Sequence, residues 1–152
     1  MENEKVKEET KMEDLTYSDI VNPQNELYYT HCIAVDSSGN LYVADTYNNR
    51  VLIFSPPFSN GMYASVVIGQ PNFTSNATAT TQNGLFFPTG VAVDSSGNLY
   101  VADPINNRVL IFNPPFSNGM NASVVIGQPN FTRRVPDITQ NGLYLDRSWY
   151  NG

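Results

Sequence analysis

Residues 33–74 read IAVDSSGNLYVADTYNNRVLIFSPPFSNGMYASVVIGQPNFT, and residues 91–132 read VAVDSSGNLYVADPINNRVLIFNPPFSNGMNASVVIGQPNFT. The second stretch is the first one repeated, with Val91 answering Ile33. Roughly 41 of about 58 aligned positions agree, and self-similarity at such a period marks a repeat architecture. The match runs upstream, where Gln82-Asn83 answers Gln24-Asn25, and a third start at Gln140-Asn141-Gly142-Leu143 breaks off. The expected organisation is a charged tail at 1–23, one unit at 24–81, a second at 82–139, and a truncated third at 140–152.

Each unit reads as four short strands. In the second copy they are expected at Gly90–Asp94, Leu99–Asp103, Arg108–Phe112 and Ala122–Gly127. These segments are rich in Val, Ile, Leu, Tyr and Phe and are bounded by turn residues. Gly97 supplies a positive φ in Ser95-Ser96-Gly97-Asn98, Asn106-Asn107 makes the next turn, and Asn118-Gly119 gives a hairpin signal. Prolines fall in the connections, where no ladder hydrogen bond is lost. The runs Val-Leu-Ile-Phe and Ser-Val-Val-Ile-Gly lack strict alternation, which fits strands covered on both faces. Four-stranded meanders stacked face to face give that pattern, so the expected fold is all-β, built of β-propeller blades in an incomplete propeller.

The string from Pro88 to Phe112, P-T-G-V-A-V-D-S-S-G-N-L-Y-V-A-D-P-I-N-N-R-V-L-I-F, resembles the NHL repeat, a family of propeller blades. The resemblance spans residues 24–139. It implies a propeller, usually of six blades, that most often serves as a scaffold for protein or RNA partners. Some relatives are lyases or surface sensor domains. The first unit departs from the pattern at Thr30-His31-Cys32, which replaces Pro88-Thr89-Gly90. The third departs at Asp146-Arg147-Ser148-Trp149-Tyr150.

Composition narrows the function classes. The chain has 152 residues, 41% of them hydrophobic, and no apolar run of membrane-spanning length. A single cysteine and a single histidine exclude a disulfide framework, a cysteine-based zinc site and an imidazole cluster. Residues 1–26 carry a net charge of −5, and the remainder is close to neutral without one lysine. A nucleic-acid partner needs a basic stripe, and only Arg133-Arg134 hints at one, so nucleic acid is not the expected partner. The tail lacks a signal-peptide core and is expected to be disordered or a solvated helix. As written the chain is expected in the cytoplasm, with a secreted or surface parent protein as the alternative.

Several residues carry candidate chemistry. Asp45 with Arg50, and Asp103 with Arg108, flank one tight turn in each unit and are expected to form structural ion pairs there. Asp36 and Asp94 end the innermost strands, where a carboxylate ring could hold a cation. Their Asp-Ser-Ser-Gly context equally satisfies a local turn, which is the preferred reading. His31 reads as a tolerated substitution and Cys32 as an inert thiol. Asn72, Asn76, Asn121 and Asn130 open glycosylation acceptor patterns, attributed to composition.

Differences between the copies concentrate at one end of the strands and on the crossover Gln70–Phe87. Recognition residues gather on loops held by a rigid scaffold, so partner contact is expected at Tyr47, Asn48, Ile105, Asn106, Arg133 and Arg134. The expected function is a non-catalytic binding or scaffold module for a protein partner, with no cofactor and no metal. The alternative is a fragment of a longer propeller, including a lyase- or lactonase-like enzyme, whose site would need ligands from many blades. Two blades leave two apolar faces, so self-association into a homo-oligomer, a ring of three chains, is also expected.

Overall fold

The computed structural model of the chain describes residues 24–142. The tail at 1–23 and positions 143–152 of the partial third unit, with the expectations that fall on them, lie outside the described residues.

The first unit forms β1 (Thr30–Val35), β2 (Leu41–Asp45), β3 (Arg50–Phe54) and β4 (Val66–Ile68), paired antiparallel in chain order. The second forms β5 (Gly90–Val93), β6 (Leu99–Asp103), β7 (Arg108–Phe112) and β8 (Val124–Ile126) in the same order. The described residues are thus all-β, in two four-stranded meanders that resemble propeller blades. Strand expectations hold to within two residues. The last strand is shorter because the Ala122 N–H pairs outside the ladder, with the carbonyl of Gln82.

Turn chemistry sets the registers. Gly39 and Gly97 take φ of 83° and 82°, which lets each first hairpin close over Asp36 and Asp94. A single 3-10 turn follows β2 and β6, and Asn49 and Asn107 end these turns in the left-handed region, where Asn is tolerated. Leu41 to Asp45 then pair in sequence with Phe54 to Arg50, and Leu99 to Asp103 with Phe112 to Arg108. The first unit departs from its copy in structure where it departs in sequence. Thr30 pairs with Asp45 and Cys32 with Ala44, so His31 is an extra residue in the ladder. At the matching place, a side chain on Gly90 would meet the Ala102 Cβ at 3.2 Å.

The sheets stack face to face. Tyr42, Ala44, Val51, Ile53 and Ile68 of the first pack on Leu99, Val101, Leu110 and Phe112 of the second. The opposite face of the first sheet forms its own buried cluster, with Val43, Leu52, Phe54, Ala64 and Val67 packed beside Leu41, Met62 and Phe73. The opposite face of the second sheet is different. Tyr100, Ala102, Val109 and Ile111 are half-buried, and Val124 and Ile126 are 42% and 52% exposed. The expectation of two open apolar faces therefore fails on one side, because the first sheet's outer face is already buried.

Candidate functional site

Each unit is organised around one buried ion pair. Arg50 Nε lies 2.7 Å from Asp45 Oδ2, and Arg108 Nε lies 2.8 Å from Asp103 Oδ2, with all four side chains fully buried. The rest of each guanidinium binds backbone carbonyls. Arg50 donates to Phe73 at 2.6 Å and to Glu26 at 2.9 Å, and Arg108 donates to Phe131, Thr81 and Gly84. The other carboxylate oxygen accepts the N–H of Tyr28 in one unit and of Phe86 in the other. One arginine thus joins a strand, the segment entering the blade and the segment leaving it. Burial pushes the Asp103 carboxyl above its usual range, against the pull of the Arg108 guanidinium and the Asn106 amide.

The inner-strand aspartates are saturated by their own turns. Asp36 accepts the N–H of Ser38 and of Asn40 at 2.9 Å, the Asn40 amide at 2.8 Å and the Tyr42 hydroxyl at 2.9 Å. Asp94 repeats the set with Ser96, Asn98 and Tyr100. At Asp94 the bonds from Asn98 hold the carboxyl below its usual value. At Asp36 burial pushes upward, and the bonds led by Asn40 outweigh it. Burial, and then Asp36, raises the Tyr42 phenol, and the bond to Asp94 raises that of Tyr100. Among the described residues no group of three or more His, Cys, Asp or Glu could hold a metal.

The joint between the sheets is polar at its rim. The Asn49 Oδ1 accepts the Phe87 N–H at 2.8 Å, and the Thr46 hydroxyl donates to the Pro88 carbonyl at 2.8 Å. On the outer strand, the Val67 N–H donates to Asn118 Oδ1 at 3.0 Å and the Val67 carbonyl accepts the Gly119 N–H at 3.1 Å. Gly119 has φ of 66° and stands where a Cβ would come within 3.0 Å of Pro71, so this approach requires glycine.

The family model of the NHL repeat matches residues 21–54 and 87–112. The two matched segments are consistent with two NHL repeats. No curated protein matches the chain. NHL repeats are propeller blades, and each matched segment carries the first three strands of one sheet.

The two blades place the expected partner residues unequally. Tyr47 is exposed and stacks on Tyr29 at 4.6 Å, with Tyr28 edge-on at 5.0 Å and Phe87 at 5.3 Å. Arg133 and Arg134 are exposed on the loop after β8. Asn48, Ile105 and Asn106 are not at the surface. Asn48 and Asn106 are buried because each amide donates to the aspartate of its own ion pair, at 2.9 and 2.8 Å. Asn106 also binds the Ala79 carbonyl and the Thr80 hydroxyl, and Ile105 is buried beside it in the same turn. Asn48 and Asn106 are identical in the two copies because each serves the ion pair of its own unit. No helix among the described residues is long and apolar enough to cross a membrane.

The sequence does not disclose the long-range role of two pairs that the structure makes central. Gln70 and Gln128 are buried, each bonding across its crossover, to Asn49 and Ala77 in one unit and to Asn107 and Val135 in the other. Asn49 and Asn107 likewise tie Asn76 and Arg134. Identity of these polar residues in both copies was the available signal. The two asparagines differ in one respect. The Asn107 Oδ1, counterpart of the atom that receives Phe87, is buried and has no hydrogen-bond partner among the described residues.

Proposed function

We propose that this NHL-repeat chain is a non-catalytic binding module whose protein partner docks on the open face of the second blade. One observation carries the reading. The same strand positions that are sealed in the first blade stand open in the second, with Ile68 0% exposed and Ile126 52%. The open face presents the exposed apolar side chains of Val124 and Ile126, which a protein partner would cover. Beside it runs a groove lined by Val125, Gln128, Pro129, Arg133, Val135 and Asn141, which brings Arg133 to the rim. A protein suits this surface better than a nucleic acid, since its floor is apolar and, among the described residues, only Arg133 and Arg134 are cationic there.

A ring of three copies would need the outer face of the first blade to be free. That face is buried, so the trimer is not proposed. The test is site-specific photocrosslinking in cells of the source organism, with the photoreactive residue at Ile126 or, as a control, at Ser95 in the far turn. A protein captured from Ile126 and not from Ser95 supports the reading. Equal capture from both positions, or none from Ile126, overturns it.

A further inference from the structure

At the joint between the blades, one turn of the second blade is seated on the edge strand of the first. Asn118 Oδ1 accepts the Val67 N–H at 3.0 Å, and the Gly119 N–H donates to the Val67 carbonyl at 3.1 Å. Gly119, with φ of 66°, lies against Pro71 and the Gln70 carbonyl. Phe116 meets Tyr42 edge-on at 5.9 Å, and Met120 packs on the shared core. The pair that opens the second unit also holds this turn. The Asn83 amide donates to the Gly119 carbonyl at 3.3 Å and the Gln82 amide to the Ala122 carbonyl at 2.8 Å. The first unit repeats these two bonds, with Asn25 on Gly61 and Gln24 on Ala64.

Each part of that seat recurs on the second blade. Tyr100, Val125, Gln128 and Pro129 stand for Tyr42, Val67, Gln70 and Pro71. Val125 faces Leu110 as Val67 faces Leu52, and Gly127 has the φ of 90° found at Gly69. Among the described residues none bonds to the Val125 N–H or carbonyl. A third Gln-Asn pair, Gln140-Asn141, is exposed and lines the same groove as Val125, Gln128 and Pro129. The groove thus holds both halves of the seat, the strand edge and the amide pair.

We infer that the partner enters this groove with a turn of the Phe-x-Asn-Gly type. The inference rests on the binding-module reading above and names the element that the open blade recognises. The turn's asparagine accepts the Val125 N–H, its glycine N–H donates to the Val125 carbonyl, and the Asn141 amide donates to the glycine carbonyl. Glycine is required there because its positive φ and its approach to Pro129 leave no place for a Cβ. The phenylalanine packs on Tyr100. An edge strand with open N–H and C=O groups is a template for such main-chain bonding. The occupant is a different protein and not a second copy. The chain's own Phe58-Ser59-Asn60-Gly61 has the sequence, but it rises from a blade whose outer face is buried. At the joint, the turn and that face arrive together.

The test follows the amide resonances of the isotope-labelled full chain during titration with a peptide. The peptide is Asn-Pro-Pro-Phe-Ser-Asn-Gly-Met-Asn-Ala, residues 113–122 of the chain itself, cyclised through its backbone. Saturable shifts at Val125, Gln128 and Asn141 are expected, with a dissociation constant on the order of 1 mM or tighter. A Gly119→Ala peptide should bind at least about tenfold more weakly. An Asn141→Ala chain should bind the parent peptide about fivefold more weakly. No saturable binding, shifts confined to other residues, or equal binding of the Gly119→Ala peptide overturns the inference. Self-association of the full chain that Asn60→Ala abolishes would make the occupant a second copy, which also overturns it. Protein capture at Ile126 without peptide binding defeats this inference alone. Peptide binding at β8 without capture defeats the binding-module reading and leaves the preference of the groove standing.

Discussion

The two blades are nearly the same sequence in unlike surroundings. Val67 is fully buried and its backbone receives Asn118 and Gly119, whereas its counterpart Val125 is only half-buried. Asn49 Oδ1 holds the Phe87 N–H, and Asn107 Oδ1 holds nothing described. Tyr42 lies in the joint and Tyr100 at the half-open face. The interior of each blade is set by its own residues, and its faces are set by what lies next to it. Stability in stacked repeats divides the same way, into intrinsic and nearest-neighbour parts.

Four comparisons probe this division, beginning where the blades should agree. Arg50→Met and Arg108→Met each leave a buried aspartate without its cation and should cost about 3–5 kcal/mol. Urea unfolding of the two variants should show losses of similar size, because both pairs are internal to a blade. A large loss in one and a small loss in the other would break the comparison. Ile68→Ala should cost about 2–5 kcal/mol, as for a buried large-to-small change, and Ile126→Ala about 0.5 kcal/mol or less. Equal losses would mean that the second face is covered after all.

The orphaned acceptor gives a smaller and sharper contrast. Glycine tolerates the left-handed conformation at both positions, so Asn49→Gly and Asn107→Gly isolate the side-chain bonds. Asn49→Gly loses the bonds to Asn76 and Phe87 and should cost about 1–3 kcal/mol. Asn107→Gly loses one bond and removes an unsatisfied atom, so thermal unfolding should register a loss of about 1 kcal/mol or less. The smallest effects are those of pH. The carboxyls of Asp36 and Asp94 are held low in the folded state, so their stabilisation is complete above the unfolded carboxyl pKa and is lost as pH falls through the folded value. Asp94→Asn should flatten the acid limb of a stability-against-pH curve. The phenols of Tyr42 and Tyr100 are raised, so their stabilisation is present below the unfolded tyrosine pKa and lost as pH rises through the folded one. Burial is the main cause only at Tyr42, so its phenolate absorbance should emerge at higher pH than that of Tyr100.

The repeat and its turns were legible because they are local. Gly97, Asn107 and the Asp-Arg spacing each need only a few neighbouring residues to declare their geometry. The sequence pattern also placed Asp36 and Asp94 in self-satisfied turns, as the hydrogen bonds show. What escaped it depends on contacts about 20 to 40 residues apart. Asn106 looks like a turn residue, and only the crossover folded back onto Ala79 and Thr80 makes it interior. Gln70 and Gln128 look like loop residues for the same reason. The unequal faces were illegible in principle, since Ile68 and Ile126 have the same local sequence and differ only in what is stacked upon them.

The crossover has a seam. Its early residues are fastened backward, with Phe73 held by Arg50, Asn76 by Asn49 and Ala77 by Gln70. Its later residues are fastened forward, with Ala79 and Thr80 held by Asn106, Gln82 by Ala122 and Asn83 by Gly119. Thr78 is exposed and sits between the two sets. A protease cutting there would sever the polypeptide without undoing any of these fastenings, and the halves would stay clasped through Phe87, Pro88 and Asn118. New chain ends could be opened at Thr78 on the same grounds, giving a permuted molecule in which each half keeps its own arginine-centred knot.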